Sequence, residues 1–264
     1  MTRRARPHPP AAPWGWAAAG AGAGLLLAVL LFAPARWLAS AVAAASADHV
    51  LLLNARGTVW SGSAQLVLAG GAGSQGATML PGRLAWQLRP QVWGLAMQLH
   101  AGCCTPEPLR LQLRPHWGGG ALSLGDGQSA WPAELLAGLG TPWNTVQAAG
   151  QLMLSSQGLR LDLVEGRLNV RGSARLDAMD LSSRLSTLRP LGSYRLTLQG
   201  GDNTTLDLAT LRGGLQLSGQ GRWVGSRLRF EGKALAAPER EEALSNLLNI
   251  IGRRNGAQSI ITLG

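Results

Sequence analysis

Leu159-Arg160-Leu161-Asp162-Leu163, followed after Val164-Glu165-Gly166-Arg167 by Leu168-Asn169-Val170, decides the fold. Leucine at every second position, with charged residues between, gives an extended segment one apolar and one polar face, because successive strand side chains point to opposite sides. An amphipathic helix repeats its apolar residues every three or four positions, whereas here each leucine from Leu159 to Leu163 is followed by the next only two positions on. The pattern recurs at Leu84, Trp86 and Leu88, at Leu95, Met97 and Leu99, and at Leu109, Leu111 and Leu113. It continues at Leu122 and Leu124, Leu152 and Leu154, Leu196 and Leu198, Leu206 and Leu208, Leu215 and Leu217, and Leu228 and Phe230. Each run is short and bounded by glycine, proline or charge, which predicts strands with one apolar face. The expected class is mainly β: one or more curved antiparallel sheets of many short strands, with a few short helices and one N-terminal transmembrane helix.

Working towards the N-terminus, residues 49–68 read as strands broken by Gly57 and Gly62, with a turn or flexible loop at 70–76. Residues 35–47 carry Trp37, Leu38, Val42 and Ala45 at helical spacing after the boundary residue Pro34. Residues 11–35 are uncharged and contain the block Leu25-Leu26-Leu27-Ala28-Val29-Leu30-Leu31-Phe32. A helix from Trp14 to Phe32 is roughly 28 Å long, enough to cross a bilayer core of roughly 30 Å. Ala33-Pro34-Ala35 and Ala45-Ser46-Ala47 also fit signal-peptidase sites, but the uncharged stretch is long for a signal peptide, which favours an uncleaved anchor. Arg3, Arg4 and Arg6 precede the span and only Arg36 follows closely, so the positive-inside rule places the N-terminus in the cytoplasm. Gly20 and Gly24 have the spacing at which a second membrane helix packs closely.

Towards the C-terminus, residues 131–140 read as a short helix with an early proline and a terminal glycine. Residues 238–252 read as a helix opened by Pro238, with Glu239, Glu241 and Glu242 at its positive end and Leu244, Leu247, Leu248 and Ile251 as an apolar stripe. Ile260-Ile261-Thr262-Leu263 then forms a last strand. Gly62-Ser63-Ala64-Gln65-Leu66 recurs as Gly172-Ser173-Ala174-Arg175-Leu176, and at the same displacement Gly82, Trp86 and Leu88 align with Gly192, Leu196 and Leu198. The expected organisation is a cytoplasmic tail (1–10), an anchor (11–35) and a β-rich domain (36–264). Two related halves, 36–130 and 131–237, are expected within that domain, before the helix at 238–252.

The net charge of +10 comes almost entirely from scattered arginines, Lys233 being the only lysine. These read as solvated strand faces with a mild attraction to anionic headgroups or an acidic partner, and not as a nucleic-acid groove, which shows clustered basic residues interleaved with aromatics. His8, His49, His100 and His116 lie apart, so no metal site is expected. No nucleophile elbow or phosphate loop is present, and Asp162, Glu165, Asp177 and Asp180 read as strand-face or turn carboxylates. The expectation is no enzyme, no cofactor and no small-molecule substrate. Cys103 and Cys104 are adjacent: a vicinal disulfide, pairing with another chain, or passive thiols at a turn are all open.

Four stretches resemble the type II secretion system protein N family, also called general secretion pathway protein N. They are residues 55–62 (Ala-Arg-Gly-Thr-Val-Trp-Ser-Gly), 141–145 (Thr-Pro-Trp-Asn-Thr), 181–194 (beginning Leu-Ser-Ser-Arg-Leu-Ser-Thr-Leu) and 244–252. With the short tail and single span, the resemblance covers nearly the whole chain. It implies an inner-membrane subunit of the machine that exports folded proteins from the periplasm across the outer membrane. Its bulk is then periplasmic, its role that of a non-enzymatic accessory or assembly scaffold, and its partners other subunits and inner-membrane lipid. Trp60, Trp143 and Leu247 are the candidate partner contacts. A second reading comes from pattern alone: repeated amphipathic strands behind a membrane anchor look like AsmA-like lipid-handling proteins, whose apolar face lines a groove. The leucine period is the same in a groove as in a closed core.

Overall fold

The computed structural model describes residues 14–71, 76–140, 143–224, 227–256 and 258–263. The expected tail (1–10), the start of the expected anchor (11–13), the middle of the expected loop (72–75) and Thr141-Pro142 lie outside the described residues. The chain runs through α1 (Trp14–Leu31), with mean hydropathy 1.7 and no buried residue, long and apolar enough to cross a membrane. The apolar helix ends at Leu31, earlier than the expected boundary at 35. Pro34 has no N–H to continue a helix, and it starts α2 (Ala35–Ala45) instead.

The strands then follow in order. β1 (Val50–Gly57) and β2 (Ser61–Ala69) form a hairpin, and the short β3 (Ala77–Met79) lies on β2. β4 (Leu84–Gln91), β5 (Gly94–Ala101), β6 (Leu109–His116) and β7 (Gly119–Leu124) continue as a meander. β8 (Gly127–Pro132) leads into a 3-10 helix (Ala133–Leu139) and the one-turn α3 (Trp143–Val146). The long strands β9 (Ala149–Val164) and β10 (Arg167–Ser182) come next, then β11 (Gly192–Gln199), β12 (Thr205–Gly213), β13 (Leu215–Val224) and β14 (Arg227–Ala236). The helix α4 (Glu241–Ile251) precedes β15 (Arg253–Asn255) and β16 (Gln258–Leu263).

All the strands belong to one 16-stranded antiparallel sheet, ordered β1-β2-β4-β5-β6-β7-β9-β10-β11-β12-β13-β14-β16-β15 and not closed into a barrel. The mainly β, antiparallel class read from the leucine period is therefore observed. Register keeps the leucines on one face: Met97 stands opposite Leu111 and Leu111 opposite Leu124, while Leu161 stands opposite both Leu122 and Val170. Leu196 likewise faces both Leu176 and Leu208.

Several boundaries differ from the sequence reading. The separate runs at Leu152 and Leu159 are one strand, β9. A bulge between the pairs Arg171↔Arg160 and Ser173↔Gln157 gives β9 one extra residue, so even-numbered Leu154 and odd-numbered Leu161 share a face. Gly158 (φ 56°) and Gly172 (φ 76°) supply the left-handed backbone this bulge needs. Gly62, expected to break a strand, lies inside β2, where an added Cβ would come within 2.6 Å of both the Arg56 carbonyl and the Trp86 ring. Its lack of a side chain lets Trp86 cross the sheet face. α4 begins at Glu241, after a turn at Pro238, and Gly252 leaves it extended rather than left-handed. β3, β8 and β15 carry no clear period and were not expected. The 110-residue recurrences fall on β2 with β4 and on β10 with β11, neighbouring strands in both cases. Their registers differ, since Gly62 faces Trp86 whereas Leu196 faces Leu176 and not Gly172.

Helices cover parts of the apolar face. α2 sets Ala35 and Leu38 against Ala64, Trp86 and Leu88; the 3-10 helix sets Leu135 against Leu80, Leu84 and Ala101. α4 packs Leu244, Leu247 and Leu248 against Leu191, Tyr194, Leu215 and Ala234. Burying those three leucines is worth about 5–9 kcal/mol before entropy is subtracted. Between these covers the same face stays open: Leu113, Leu122 and Leu163 are 47%, 36% and 45% exposed.

Candidate functional site

Because neighbouring strands are antiparallel, all connections fall at two ends of the sheet. One end holds the tight β1–β2, β4–β5, β6–β7 and β9–β10 turns; the other holds the 3-10 helix, α3, the β10–β11 loop and α4. α1 joins the first end. Trp60 Nε1 donates to the Leu30 carbonyl at 2.7 Å, Val59 N–H donates to the Ala33 carbonyl at 2.8 Å, and Pro34 bridges to Thr58. The sequence signal at residues 55–62 is thus the junction between the apolar helix and the sheet.

The other three signal stretches meet at the opposite end. In the β10–β11 loop, the buried Ser183 accepts the Leu185 N–H and donates to the Val146 carbonyl of α3. Three residues later the buried Ser186 accepts the Leu188 N–H at 3.1 Å and donates to the Ala243 carbonyl of α4 at 2.7 Å. A serine hydroxyl that receives an N–H two residues ahead shapes a local turn and still has a proton to give. The repeated Ser-x-Leu of this loop therefore clamps two helices. Tyr194 completes the lock, its hydroxyl donating to the Leu215 carbonyl at 3.0 Å; burial pushes the phenol pKa up.

Beside the clamp lies an open cleft of about 620 Å³, lined among others by Glu134, Asn144, Gln147, Ser182, Arg184 and Arg189. These polar groups stand among Ala77, Ala137, Ala148 and Ala149 and can exchange hydrogen bonds and ion pairs with a partner surface. On the sheet nearby, Arg195 holds Asp177 through two hydrogen bonds of 2.7 and 2.8 Å, and Arg212 holds Asp180 at 2.8 Å. The Arg195 hydrogen bond keeps the Asp177 carboxyl below the usual carboxylate range. Asp162 pairs with Arg160, while Glu165 stands in the β9–β10 turn with φ 49°. Three of the four carboxylates singled out by sequence are thus engaged by arginine. Among the described residues no three His, Cys, Asp or Glu side chains gather as metal ligands.

The remaining sequence candidates lie apart from one another. Trp143 opens α3 at the clamp end and is part exposed. Trp60 is at the α1 junction, its ring partly packed on the α2 core. Leu247 is 1% exposed, so its side chain is consumed by packing within the chain. Gly20 and Gly24 sit on α1 with open space around them. Cys103 and Cys104 form a vicinal disulfide at the β5–β6 connection; Cys104 is buried beside Leu84 and Leu135, and Cys103 is exposed. Sequence reading missed the partner role of Ser183 and Ser186. The serine spacing within the quoted motif was the available signal, but the helices they reach are more than thirty residues away in sequence.

A family model described as Type II secretion system (T2SS), protein N matches residues 48–261. No curated protein and no solved structure matches the chain.

Proposed function

This chain belongs to the type II secretion system protein N family, and from that premise we propose that it is a non-enzymatic, membrane-tethered scaffold for assembly of the secretion machine. Family membership makes it a type II secretion component that works with other components of that system. In this reading α1 spans the inner membrane with the arginine-bearing tail in the cytoplasm, and the sheet stands in the periplasm. The vicinal disulfide fits an oxidising compartment. The observation that carries the proposal is the extent of the match: residues 48–261 run from just before β1 into β16, so the family unit is the whole sheet and its clamp, with the apolar helix ahead of it. The tether fixes one end of the sheet at the membrane, and the clamp end presents the cleft and Trp143 to partner subunits.

In-cell crosslinking from a photoreactive residue at Trp143, Arg184 or Ile250 tests this reading. All three are exposed at the clamp end. Capture of secretion-system proteins from these positions, and not from exposed Gln128 on β8, is the expected result. Capture of none, in cells whose secretion is active, refutes the scaffold role.

The open stretch of apolar face around Leu113, Leu122 and Leu163 favours one second reading, an AsmA-like groove for acyl chains. Native mass spectrometry of the detergent-extracted protein separates the two, since only a lipid carrier retains phospholipid in defined stoichiometry.

A further inference from the structure

Among the described residues outside α1 and its exit residue Phe32, the most exposed large apolar side chains are Val92, Trp93 and Trp117, at 89%, 82% and 102%; no other described one exceeds 51%. All three lie in the turns of two successive hairpins. Gln91 pairs with Gly94, which makes Val92-Trp93 the two central residues of the β4–β5 turn. His116 pairs with Gly119, which does the same for Trp117-Gly118 in the β6–β7 turn. The central residues of two-residue turns face water and are commonly Asn, Asp or Gly; of these four only Gly118 has φ > 0, so what is unusual at Val92, Trp93 and Trp117 is the exposure of their side chains and not their backbone. Val-Trp and Trp-Gly put bulky apolar surface there, most of it left in water, the kind of local violation expected where function overrides folding.

The topology says what that surface meets. Strand β4 runs from Leu84, beside Ala64 of β2, towards Gln91, past the level of Trp60 and the α1 junction. β6 runs the same way, so both turns project from the end at which α1 leaves the sheet. Exposed Arg89 and Arg114 stand just behind the turns and take part in no ion pair among the described residues. Tryptophan prefers the headgroup layer, where its ring is sheltered and its N–H stays wet, and arginines beside it are drawn to anionic headgroups.

We propose that the β4–β5 and β6–β7 turns dock through Trp93 and Trp117 into the anionic headgroup layer of the bilayer that α1 spans. This rests on the reading of α1 as a membrane anchor. The sheet then meets the bilayer at α1 and at two turns, which fixes its tilt instead of leaving it to swing on one helix. The open apolar face between β5 and β10 is thereby held with its α1-end rim against lipid.

The test uses the full chain reconstituted in vesicles of phosphatidylethanolamine and phosphatidylglycerol, with a photoreactive amino acid at one position at a time. Trp93 and Trp117 are the test sites, Val29 in α1 is the anchor reference, and Met79 and Leu139 are exposed apolar references at the clamp end. Phospholipid adducts at 93, 117 and 29, and none at 79 and 139, are expected. Adducts at 29 alone overturn the docking proposal and leave the anchor intact. Adducts at none of the five overturn the anchor reading and the docking with it. Equal adducts at all five overturn the assignment to the turns. If 93 and 117 capture a protein and no lipid when the same variants are illuminated in cells, the turns are a protein interface and the proposal fails.

Discussion

Ser186→Ala removes one hydroxyl that performs two tasks. It loses the bond to the Ala243 carbonyl, a net contribution of about 1 kcal/mol, since that carbonyl lies within α4 and its partner is replaced by nothing. It also strips the Leu188 N–H of its acceptor in a loop packed under α4, where an orphaned donor costs about 1–3 kcal/mol. Together the loss is about 2–4 kcal/mol, and it falls on the contact between the β10–β11 loop and α4. Denaturant unfolding of the detergent-solubilised full chain gives the total, and amide hydrogen exchange shows where it acts, with faster exchange in α4 and at Leu188. Ser245→Ala is the control: its exposed hydroxyl bonds only the Glu242 carbonyl one turn back, and its loss changes stability by no more than about 0.5 kcal/mol. If Ser186→Ala costs as little as Ser245→Ala and leaves exchange in α4 unchanged, the clamp does not hold that helix.

Three other outcomes follow from the same geometry. Leu247→Ala opens a cavity in the α4 core and lowers stability by about 2–5 kcal/mol in the same unfolding assay, whereas Asn249→Ala on the exposed side does not. Asp177 has a folded pKa below its unfolded one, so its pairing with Arg195 stabilises the fold above the usual carboxylate pKa of about 4 and is lost as pH falls through the folded value. The Tm difference between the natural chain and Asp177→Asn should therefore be present near neutrality and shrink below about pH 4; a difference independent of pH refutes the ion-pair account. After mild reduction of the disulfide, an alkylating reagent should modify exposed Cys103 well before buried Cys104, read by peptide mass mapping; equal rates would mean that Cys104 is not held in its core.

The alternation of Leu159, Leu161 and Leu163, repeated along the chain, was enough to identify an antiparallel sheet with one apolar face, because side-chain period is a local property of extended backbone. Pro34, the glutamates before Leu244 and the uncharged run before Pro34 were local signals too, and they placed helices within a few residues of where they occur. Strands without period, such as β3 and β15, were not legible, since they form only because a partner strand is already beside them. The bulge at Gly158 was read as a break for the same reason: a glycine between two leucine runs of opposite parity looks alike whether the chain turns or shifts register.

The sequence by itself thus determined the secondary-structure class, the single apolar helix and the family, all carried by short-range pattern and quoted motifs. Tertiary structure alone decided that the apolar stripe of Leu247 packs inside the chain and is not offered to a partner, and that Trp93 stands in water. It alone joined the Ser-Ser-Arg-Leu-Ser loop to α3 and α4, and it put α1, Trp93 and Trp117 at one end of the sheet. Burial and long-range hydrogen bonds depend on which strands are neighbours and in what register, and that is set by the summed packing of the whole sheet rather than by any one stretch.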